Sequence, residues 1–473
     1  MEGAAVITTI NPATGEQLET YQTHDDDAVA WKLARAWTFW IEEWRPVTVD
    51  DRVKVLAAAA DRLDARRDEY AELITREMGK PITQSRAEID KCVWLCRHYV
   101  DAAGGYLAPR TVHTDAHSSY VRYDPIGPVL AIMPWNFPFW QVFRFAVPNL
   151  AAGNVALLSH SRNTTGCALA IEEIFHHAGL SDGGFEALLV DHDELAEIMG
   201  DDRIRGVTLT GSDRAGRAVA STAGQHLRKT VLELGGSDPF IVLADADLEQ
   251  TARSAAKARM QNSGQSCIAA KRFIVLRDVY EDFLERFRAE VEAMAVGDPM
   301  DEGTAIGPLA RDDLRDTLHD QVQRTLAHHD GGSLLIGGEP LDRPGFFYQP
   351  TIIRDSNAEA PACTEETFGP FAVVMDAEHE EAAVALANSS RYGLGASIWT
   401  RDVGRGERLA AQVESGVVFV NDIVTSDPRL PFGGVKDSGY GRELGWLGAQ
   451  EFCNVKTVWV NPRGGTPEGA PVE

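Results

Sequence analysis

Cys267 ends the segment Gly264-Gln-Ser-Cys267, where a cysteine follows small and polar residues. Most buried cysteines only pack, and a thiol with an ordinary pKa of about 8.5 reacts when a neighbouring group lowers that pKa or accepts the proton. If Cys267 is a nucleophile, the chain must also supply a nearby carboxylate, an amide donor and a site for an electron acceptor.

Glu233 and Asn136 are candidates for the carboxylate and the amide. Glu233 ends an apolar stretch just before Gly235-Gly236, where burial would raise its pKa and suit it to act as a general base; the alternative is a solvated residue at a strand end. Asn136 lies in the proline-flanked loop 133–138 after an apolar run, where a fixed amide can donate to an oxyanion. Its alternative role is a turn-forming asparagine.

A turn with phosphate-binding character follows the predicted strand 207–209. Gly211 and Gly216 bracket this turn, Ser212 lies within it, and a predicted helix follows. A helix N-terminus offers free N–H groups and a positive dipole to a phosphate. Two glycines at this spacing are weak evidence alone, because the three-glycine dinucleotide fingerprint is absent.

The elements that must position these residues belong to an α/β protein of two or three domains. The early part of the chain predicts amphipathic helices, one of which stops at Gly79. From residue 120, predicted strands at 129–133, 155–158, 187–190, 207–209 and 231–234 alternate with predicted helices at 167–177, 194–199 and 216–227. This alternation is typical of a parallel sheet with crossover helices. A second α/β stretch runs from 239 to about 420, and 453–460 predicts a final strand.

Composition excludes several classes of function. A net charge of −26 argues against a nucleic-acid partner. Six scattered cysteines without paired spacing indicate a reducing cytoplasm, and the thirteen histidines show no ligand spacing, so we expect no metal. No apolar run is long enough for a bilayer, so we expect a cytoplasmic protein without a membrane partner. Only nine of the 45 basic residues are lysine, which suits either a halophile or a GC-rich genome.

Five motifs in order resemble the aldehyde dehydrogenase superfamily over nearly the whole chain. They are Pro134-Trp-Asn-Phe-Pro138, Leu232-Glu-Leu-Gly-Gly236, Gly264-Gln-Ser-Cys267, Glu366-Thr-Phe-Gly-Pro370 and Pro431-Phe-Gly-Gly-Val-Lys-Asp-Ser-Gly439. The resemblance implies a Rossmann-type cofactor domain (1–118 and 130–234), an α/β catalytic domain (235–430) and a small β oligomerisation element (119–129 and 452–460). Residues 462–473 are expected to form a flexible tail. The oligomerisation strands imply a homodimer or homotetramer.

The resemblance also implies a role for each candidate. Cys267 attacks the aldehyde carbon, the Asn136 amide and the Cys267 N–H hold the oxyanion, a hydride leaves for the nicotinamide, and Glu233 activates the water that hydrolyses the thioester. By the same resemblance, the cofactor contacts are Trp135, Ser159, Arg162, Gly211, Ser212, Gly216, Leu234, Glu366 and Phe368.

Within the superfamily, the segments 133–144 and 232–240 look most like bacterial succinate-semialdehyde dehydrogenases. Arg144 lies eight residues after Asn136, where its guanidinium would bind the distal carboxylate of a semialdehyde, and Ser426 would add a hydroxyl. The alternative for Arg144 is a helix-surface ion pair. Gln261 replaces a second arginine of some relatives, and Ala269 replaces a second cysteine, so we expect no local disulfide switch.

The sequence departs most from its relatives at Ser159 and Arg162. Relatives usually have lysine at the first position and often an acidic residue at the second. An acidic residue there repels a 2′-phosphate, whereas Arg162 can pair with one. We therefore expect NADP, with NAD tolerated. The alternatives are oxidation of another carboxylated or aliphatic aldehyde, a thiol hydrolase that uses no nucleotide, and a catalytically silent nucleotide-binding relative.

Overall fold

The computed structural model describes residues 6–461. The predicted tail at 462–473 therefore lies outside the described residues. The strands are β1 (Val6–Ile10), β2 (Gln17–Gln22), β3 (Arg110–Thr111), β4 (Ser118–Pro125), β5 (Pro128–Met133), β6 (Val155–His160), β7 (Phe185–Ala187), β8 (Gly206–Thr210), β9 (Lys229–Glu233), β10 (Asp238–Val242), β11 (Ala270–Leu276), β12 (Ser333–Ile336), β13 (Thr351–Arg354), β14 (Phe371–Ala377), β15 (Tyr392–Gly393), β16 (Gly395–Trp399), β17 (Val417–Val420), β18 (Val435–Lys436), β19 (Gly439–Tyr440) and β20 (Cys453–Val460).

Helices cover both main sheets. They are α1 (Asp26–Phe39), α2 (Val49–Ala65), α3 (Arg67–Met78), α4 (Ile82–Tyr106), α5 (Trp140–Ala152), α6 (Thr165–His177), α7 (Leu195–Gly200), α8 (Asp213–Gln225), α9 (Leu248–Met260), α10 (Tyr280–Glu292), α11 (Asp312–Ala327), α12 (Pro361–Thr364), α13 (Glu380–Asn388), α14 (Val403–Ala410) and α15 (Gly445–Glu451).

The first main sheet has the strand order β19-β9-β8-β5-β6-β7, and the five strands from β9 to β7 are parallel. Strands β5 and β8 are buried along their whole length, which explains their continuous apolar sequence. The carboxyl ends of parallel strands lie at one edge of the sheet, where ligands bind in open α/β folds. At that edge, Asn136 follows β5, Arg162 follows β6, Ser212 follows β8, and Glu233 is the last residue of β9.

The second main sheet has the order β12-β13-β14-β11-β10-β16-β17 and is parallel except for β12. Cys267 lies in the short loop between α9 and β11, so this sheet carries the nucleophile. After β17 the chain returns to the first sheet, where β19 pairs with β9 beside Glu233. The α/β class with parallel sheets is confirmed.

A small antiparallel sheet has the order β20-β4-β3. Strand β20 coincides with the predicted strand at 453–460, and its partner β4 ends at Pro125. Residues 128 and 129, which the prediction assigned to the same element, belong to β5 instead. The outer edge of β20 has no strand partner among the described residues and carries exposed Val455 and Trp459.

Local signals place several element ends. Asp25 caps α1 by accepting the N–H of Ala28, and Gly79 ends α3 with a left-handed φ of 78°. Two predicted elements were displaced at both ends. Strand β7 runs from Phe185 to Ala187 rather than over 187–190, and α8 runs from Asp213 to Gln225 rather than over 216–227, beginning where the Ser212 side chain caps it.

Candidate active site

The backbone before Cys267 is left-handed at three successive residues, with φ values of 55° at Asn262, 53° at Ser263 and 73° at Gly264. Non-glycine residues rarely adopt this conformation, and a run of three is costly unless other contacts hold it. Gly264 is required here, because a Cβ would lie 2.1 Å from the carbonyl oxygen of Gly369. This turn directs the chain from α9 into the nucleophile loop 261–269.

Buried side chains hold that loop by donating to its carbonyl groups. The Asn262 amide donates to the carbonyl oxygens of Asn136 (2.8 Å) and Gln265 (3.0 Å). The Asn136 amide donates to Gln265 as well, at 3.1 Å. Lys271 donates to the carbonyl oxygens of Ser266 (2.9 Å) and Cys267 (2.7 Å). The predicted oxyanion donor Asn136 is therefore tied directly to the nucleophile loop, with one amide hydrogen left for a ligand.

The Cys267 thiol has a raised pKa. Burial raises it to about 12, although the cations Arg144 and Lys271 oppose that shift. The thiol is therefore protonated at neutral pH and needs a proton acceptor before it can attack.

Glu233 has the properties of such an acceptor. Its carboxyl group is buried, and its Oε1 has no hydrogen-bond partner among the described residues. Burial raises its pKa well above the usual range, Arg144 lowers it, and the nearby carboxyl of Glu443 raises it further. A carboxyl group with a raised pKa is suited to general-base chemistry near neutral pH.

Arg144 is buried rather than on a helix surface, so the alternative of a surface ion pair is wrong. Its guanidinium is ion-paired with Glu443, donates to Thr210 Oγ1 at 3.4 Å and lies over the Phe432 ring. The charge of Arg144 thus already has a carboxylate partner. Its role toward a substrate carboxylate stays a prediction.

Two cavities meet at Cys267. The first, of about 340 Å³, is lined by Cys267 together with the predicted substrate residues Arg144 and Ser426 and with Gln261. Its walls include the helices α4, α5 and α9 and the loop 423–427. Cys267 also lines the second cavity, so the thiol lies between them.

The second cavity gathers most of the predicted cofactor residues. It is lined by Trp135, Asn136, Gly211, Ser212, Leu234, Glu366 and Phe368. The rings of Trp135 and Phe368 pack edge to face with centroids 5.6 Å apart. The Glu366 carboxylate accepts the N–H of Gly236 at 2.9 Å and lies 3.6 Å from the Lys271 ammonium group, which fixes its position.

The predicted phosphate-binding turn is present, and Gly211, Ser212 and Gly216 each have a separate structural role in it. The N–H of Gly211 is occupied by the carbonyl of Glu233, at 3.0 Å. Ser212 caps α8 by accepting the N–H of Ala215 at 3.2 Å. Gly216 does not line the cavity; a Cβ there would lie 2.5 Å from the Leu234 side chain, so this glycine allows α8 to pack against the strand end.

Ser159 and Arg162 lie away from this cavity, at the end of β6. Ser159 is buried, and Arg162 lines a separate cavity together with His192 and Arg311. The Arg162 guanidinium is ion-paired with Asp191 and donates to the carbonyl of Val6 at 3.1 Å.

Four residues that shape the site were not predicted from the sequence: Lys91, Asn262, Lys271 and Glu443. Glu443 follows the motif 431–439 and Lys271 follows Cys267 by four, but nothing in their spacing showed their partners. Lys91 had a usable signal, since it lies between the buried positions Glu88 and Cys92 of α4.

Within the described residues, no group of three or more histidine, cysteine, aspartate or glutamate side chains is arranged to hold a metal ion. Within residues 6–461, no helix combines the length and the apolar character needed to cross a membrane.

Comparisons with known proteins agree with this geometry. The chain is 51% identical over 455 residues to a probable succinate-semialdehyde dehydrogenase [NADP(+)] of Synechocystis sp., covering 96% of this chain and 99% of that protein. It is 47% identical to the succinate semialdehyde dehydrogenase [NAD(P)+] Sad of Escherichia coli, covering 95% and 97%.

The structure superposes with a TM-score of 0.94 on succinic semialdehyde dehydrogenase from Streptococcus pyogenes, solved with NADP+; the two are 38% identical, and the match covers 96% of this chain and 100% of that one. The aldehyde dehydrogenase family profile matches residues 1–458. The expected fold and family are confirmed: the chain belongs to the aldehyde dehydrogenase family.

Proposed function

We propose that this enzyme oxidises succinate semialdehyde to succinate with NADP+. The similarity to relatives with that name supports the proposal. The observation that carries it is the hydrogen bonding of Ser426 in the first cavity. Its buried Oγ accepts one hydrogen bond from Lys91 Nζ (2.9 Å) and one from Trp140 Nε1 (3.0 Å).

Those two bonds use both lone pairs of the Ser426 hydroxyl, so its O–H group is available only as a donor. No acceptor for it is found among the described residues. A buried donor is costly without a partner, and a substrate carboxylate would supply one. Cys267 lines the same cavity, and the aldehyde group must lie beside its thiol to react.

The residues around Cys267 support acyl-transfer chemistry. Glu233 accepts the thiol proton, the thiolate attacks the aldehyde carbon, and the amide hydrogen of Asn136 together with the Cys267 N–H stabilises the oxyanion. NADP+, when bound, would accept the hydride that leaves the carbon attached to Cys267. Glu233 releases the thiol proton to solvent and, ionised again, takes a proton from the water that hydrolyses the thioester, with the Cys267 thiolate as the leaving group.

The second cavity fits a nicotinamide dinucleotide. Glu366 presents a fixed carboxylate for ribose hydroxyls, and Gly235 leaves it room, since a Cβ there would lie 2.5 Å from Glu366 Oε2. The N-terminus of α8 faces the same cavity through Ser212 and suits a pyrophosphate. Arg162 supports a preference for NADP, because its guanidinium can exchange Asp191 for a 2′-phosphate.

We also propose that the enzyme assembles as a homodimer or homotetramer through β20. An unpaired strand edge with exposed apolar side chains favours pairing with another subunit. Val455 is 60% exposed and Trp459 is 50% exposed on this strand.

The substrate proposal is tested by comparing kcat/KM for succinate semialdehyde and butyraldehyde, which has the same chain length but lacks the carboxylate. A clear preference for the semialdehyde is expected. Equal values would refute the proposed substrate class and leave the aldehyde dehydrogenase chemistry intact.

A further inference from the structure

Lys91 contributes a cation to the wall of the substrate cavity. It lies on α4 between Glu88 and Cys92, and its side chain is largely enclosed but keeps contact with the cavity. Besides the hydrogen bond to Ser426, its ammonium group lies 4.1 Å from the centroid of the Trp140 ring. A cation over an indole face is stabilised where water is scarce.

The carboxylates closest to Lys91 are occupied by other partners. Glu88 is ion-paired with Lys80 and accepts the N–H groups of Phe139 and Trp140, both at 2.9 Å. Asp427 is ion-paired with Arg429 through bonds of 2.9 and 2.6 Å. Among the described residues, no carboxylate forms an ion pair with Lys91.

Arg144, the other buried cation of the cavity, differs in this respect. Glu443 forms a buried ion pair with it. The pair Arg144–Glu443 therefore adds little net charge to the cavity, whereas Lys91 adds a whole positive charge. Lys91 and Ser426 together present N–H and O–H donors to the same space.

Building on the proposed function, we infer that Lys91 selects carboxylated aldehydes: its ammonium group and the Ser426 hydroxyl bind the distal carboxylate while the aldehyde carbon lies at Cys267. The substrate carboxylate accepts hydrogen bonds from the Lys91 ammonium group and from the Ser426 hydroxyl. It is also the ion-pair partner that no carboxylate among the described residues provides for Lys91. Arg144, already ion-paired with Glu443, also lowers the pKa of Glu233.

The test uses Lys91→Met, which keeps the length and apolar stem of the side chain but removes the charge. We expect kcat/KM for succinate semialdehyde to fall roughly 10- to 100-fold, mainly through KM, because the carboxylate is bound equally in the ground and transition states. The value for butyraldehyde should change little. Lys91→Arg should restore much of the preference, because it keeps the charge.

Two further measurements separate recognition of the carboxylate by Lys91 from effects on catalysis and on the overall charge of the cavity. Calorimetric titration of the enzyme with succinate should show binding to the wild type and loss of it in Lys91→Met and in Lys91→Gln, independently of catalysis. Lys257→Met removes an exposed lysine that lines the same cavity. It should lower kcat/KM for the semialdehyde far less than Lys91→Met does.

The outcomes separate the two proposals. If the wild type does not prefer the semialdehyde, the proposed function fails. If the wild type prefers it and Lys91→Met keeps that preference, the role of Lys91 alone is refuted. An equal loss in Lys257→Met would also overturn it, since a general electrostatic field would then account for the selectivity.

Discussion

The ammonium group of Lys271 lies 2.7 Å from the carbonyl oxygen of Cys267 and 3.6 Å from the carboxylate of Glu366. One buried side chain thus joins the loop that carries the nucleophile to a carboxylate that lines the second cavity. Burial lowers the pKa of Lys271, while the charge of Glu366 raises it.

Lys271→Met should therefore impair two functions together. Without the ammonium group, the carbonyls of Ser266 and Cys267 lose a donor, and Glu366 loses its cation. We expect a lower kcat, because the nucleophile loop loosens, and a higher KM for NADP+. Steady-state kinetics with varied cofactor measure both. An unchanged KM for NADP+ would show that Glu366 does not depend on Lys271.

Glu233→Gln should lower kcat by about 10²- to 10⁴-fold, the usual contribution of a general base. If hydrolysis of the thioester becomes the slowest step, a pre-steady-state burst of reduced cofactor should precede slow turnover. In the wild type, kcat should fall on acidification at a pH above the usual range for glutamate, because burial raises the pKa of Glu233 and only the ionised form accepts protons. A burst-free variant with normal kcat would contradict this role.

Substrate selectivity should depend on pH through Lys91. Burial lowers the pKa of Lys91 to about 8, and Arg144 lowers it as well, while Cys92, Glu88 and Asp427 oppose the shift. The ammonium form predominates below that pH and is lost above it. The carboxylate of succinate semialdehyde remains ionised throughout this range.

The ratio of kcat/KM for succinate semialdehyde to that for butyraldehyde should therefore fall as the pH rises through about 8. Titration of Cys267 and Glu233 affects both substrates and cancels in the ratio. Lys91→Arg should keep the ratio flat across the same range, since an arginine stays charged. A wild-type ratio that does not change between pH values on either side of the transition would contradict the prediction.

Arg162→Glu should lower kcat/KM for NADP+ and spare NAD+, because the new carboxylate repels a 2′-phosphate. Asp191→Asn is the converse variant. It removes the carboxylate that is ion-paired with Arg162, which frees the guanidinium for the 2′-phosphate and should strengthen NADP+ binding. Initial rates with both cofactors check the pair. If NADP+ efficiency does not fall in Arg162→Glu, Arg162 does not recognise the 2′-phosphate.

Trp459→Lys should weaken subunit association, because it places a charge on the exposed edge strand β20. Light scattering after size-exclusion chromatography should then show a smaller particle than the wild type. Leu227→Lys serves as the control, since Leu227 is 93% exposed and lies on another part of the surface. A mass that is the same in all three proteins would place the interface elsewhere.

The local sequence was sufficient to predict where the parallel strands lie. The continuous apolar run at 129–133 predicted β5 (Pro128–Met133) because a strand buried on both faces has no polar alternation. The residues at the ends of such strands, Asn136 and Glu233 among them, then had to meet at one edge of the sheet. The family motifs then named most of the residues that line the second cavity.

Long-range electrostatics could not be predicted in the same way. Arg144 and Glu443 are distant in the chain, and no periodicity links them, so the ion pair that neutralises Arg144 was missed. The left-handed backbone at Asn262 and Ser263 was also not predicted. Tertiary hydrogen bonds offset the conformational strain of these two residues, so no glycine marks the positions in the sequence. The position of Lys91 beside the buried residues of α4 could indicate that it is enclosed, but not that Ser426 and Trp140 are its partners.

Cys267 lines both cavities, and the residues proposed to select the aldehyde lie on other elements than those proposed to select the cofactor. In the proposed function, α4 and the loop that carries Ser426 recognise the aldehyde, whereas Arg162 at the end of β6 recognises the 2′-phosphate of NADP+. Lys91 and Arg162 share no contact. Each preference can therefore diverge, or be redesigned, while the other and the nucleophile between them stay as they are.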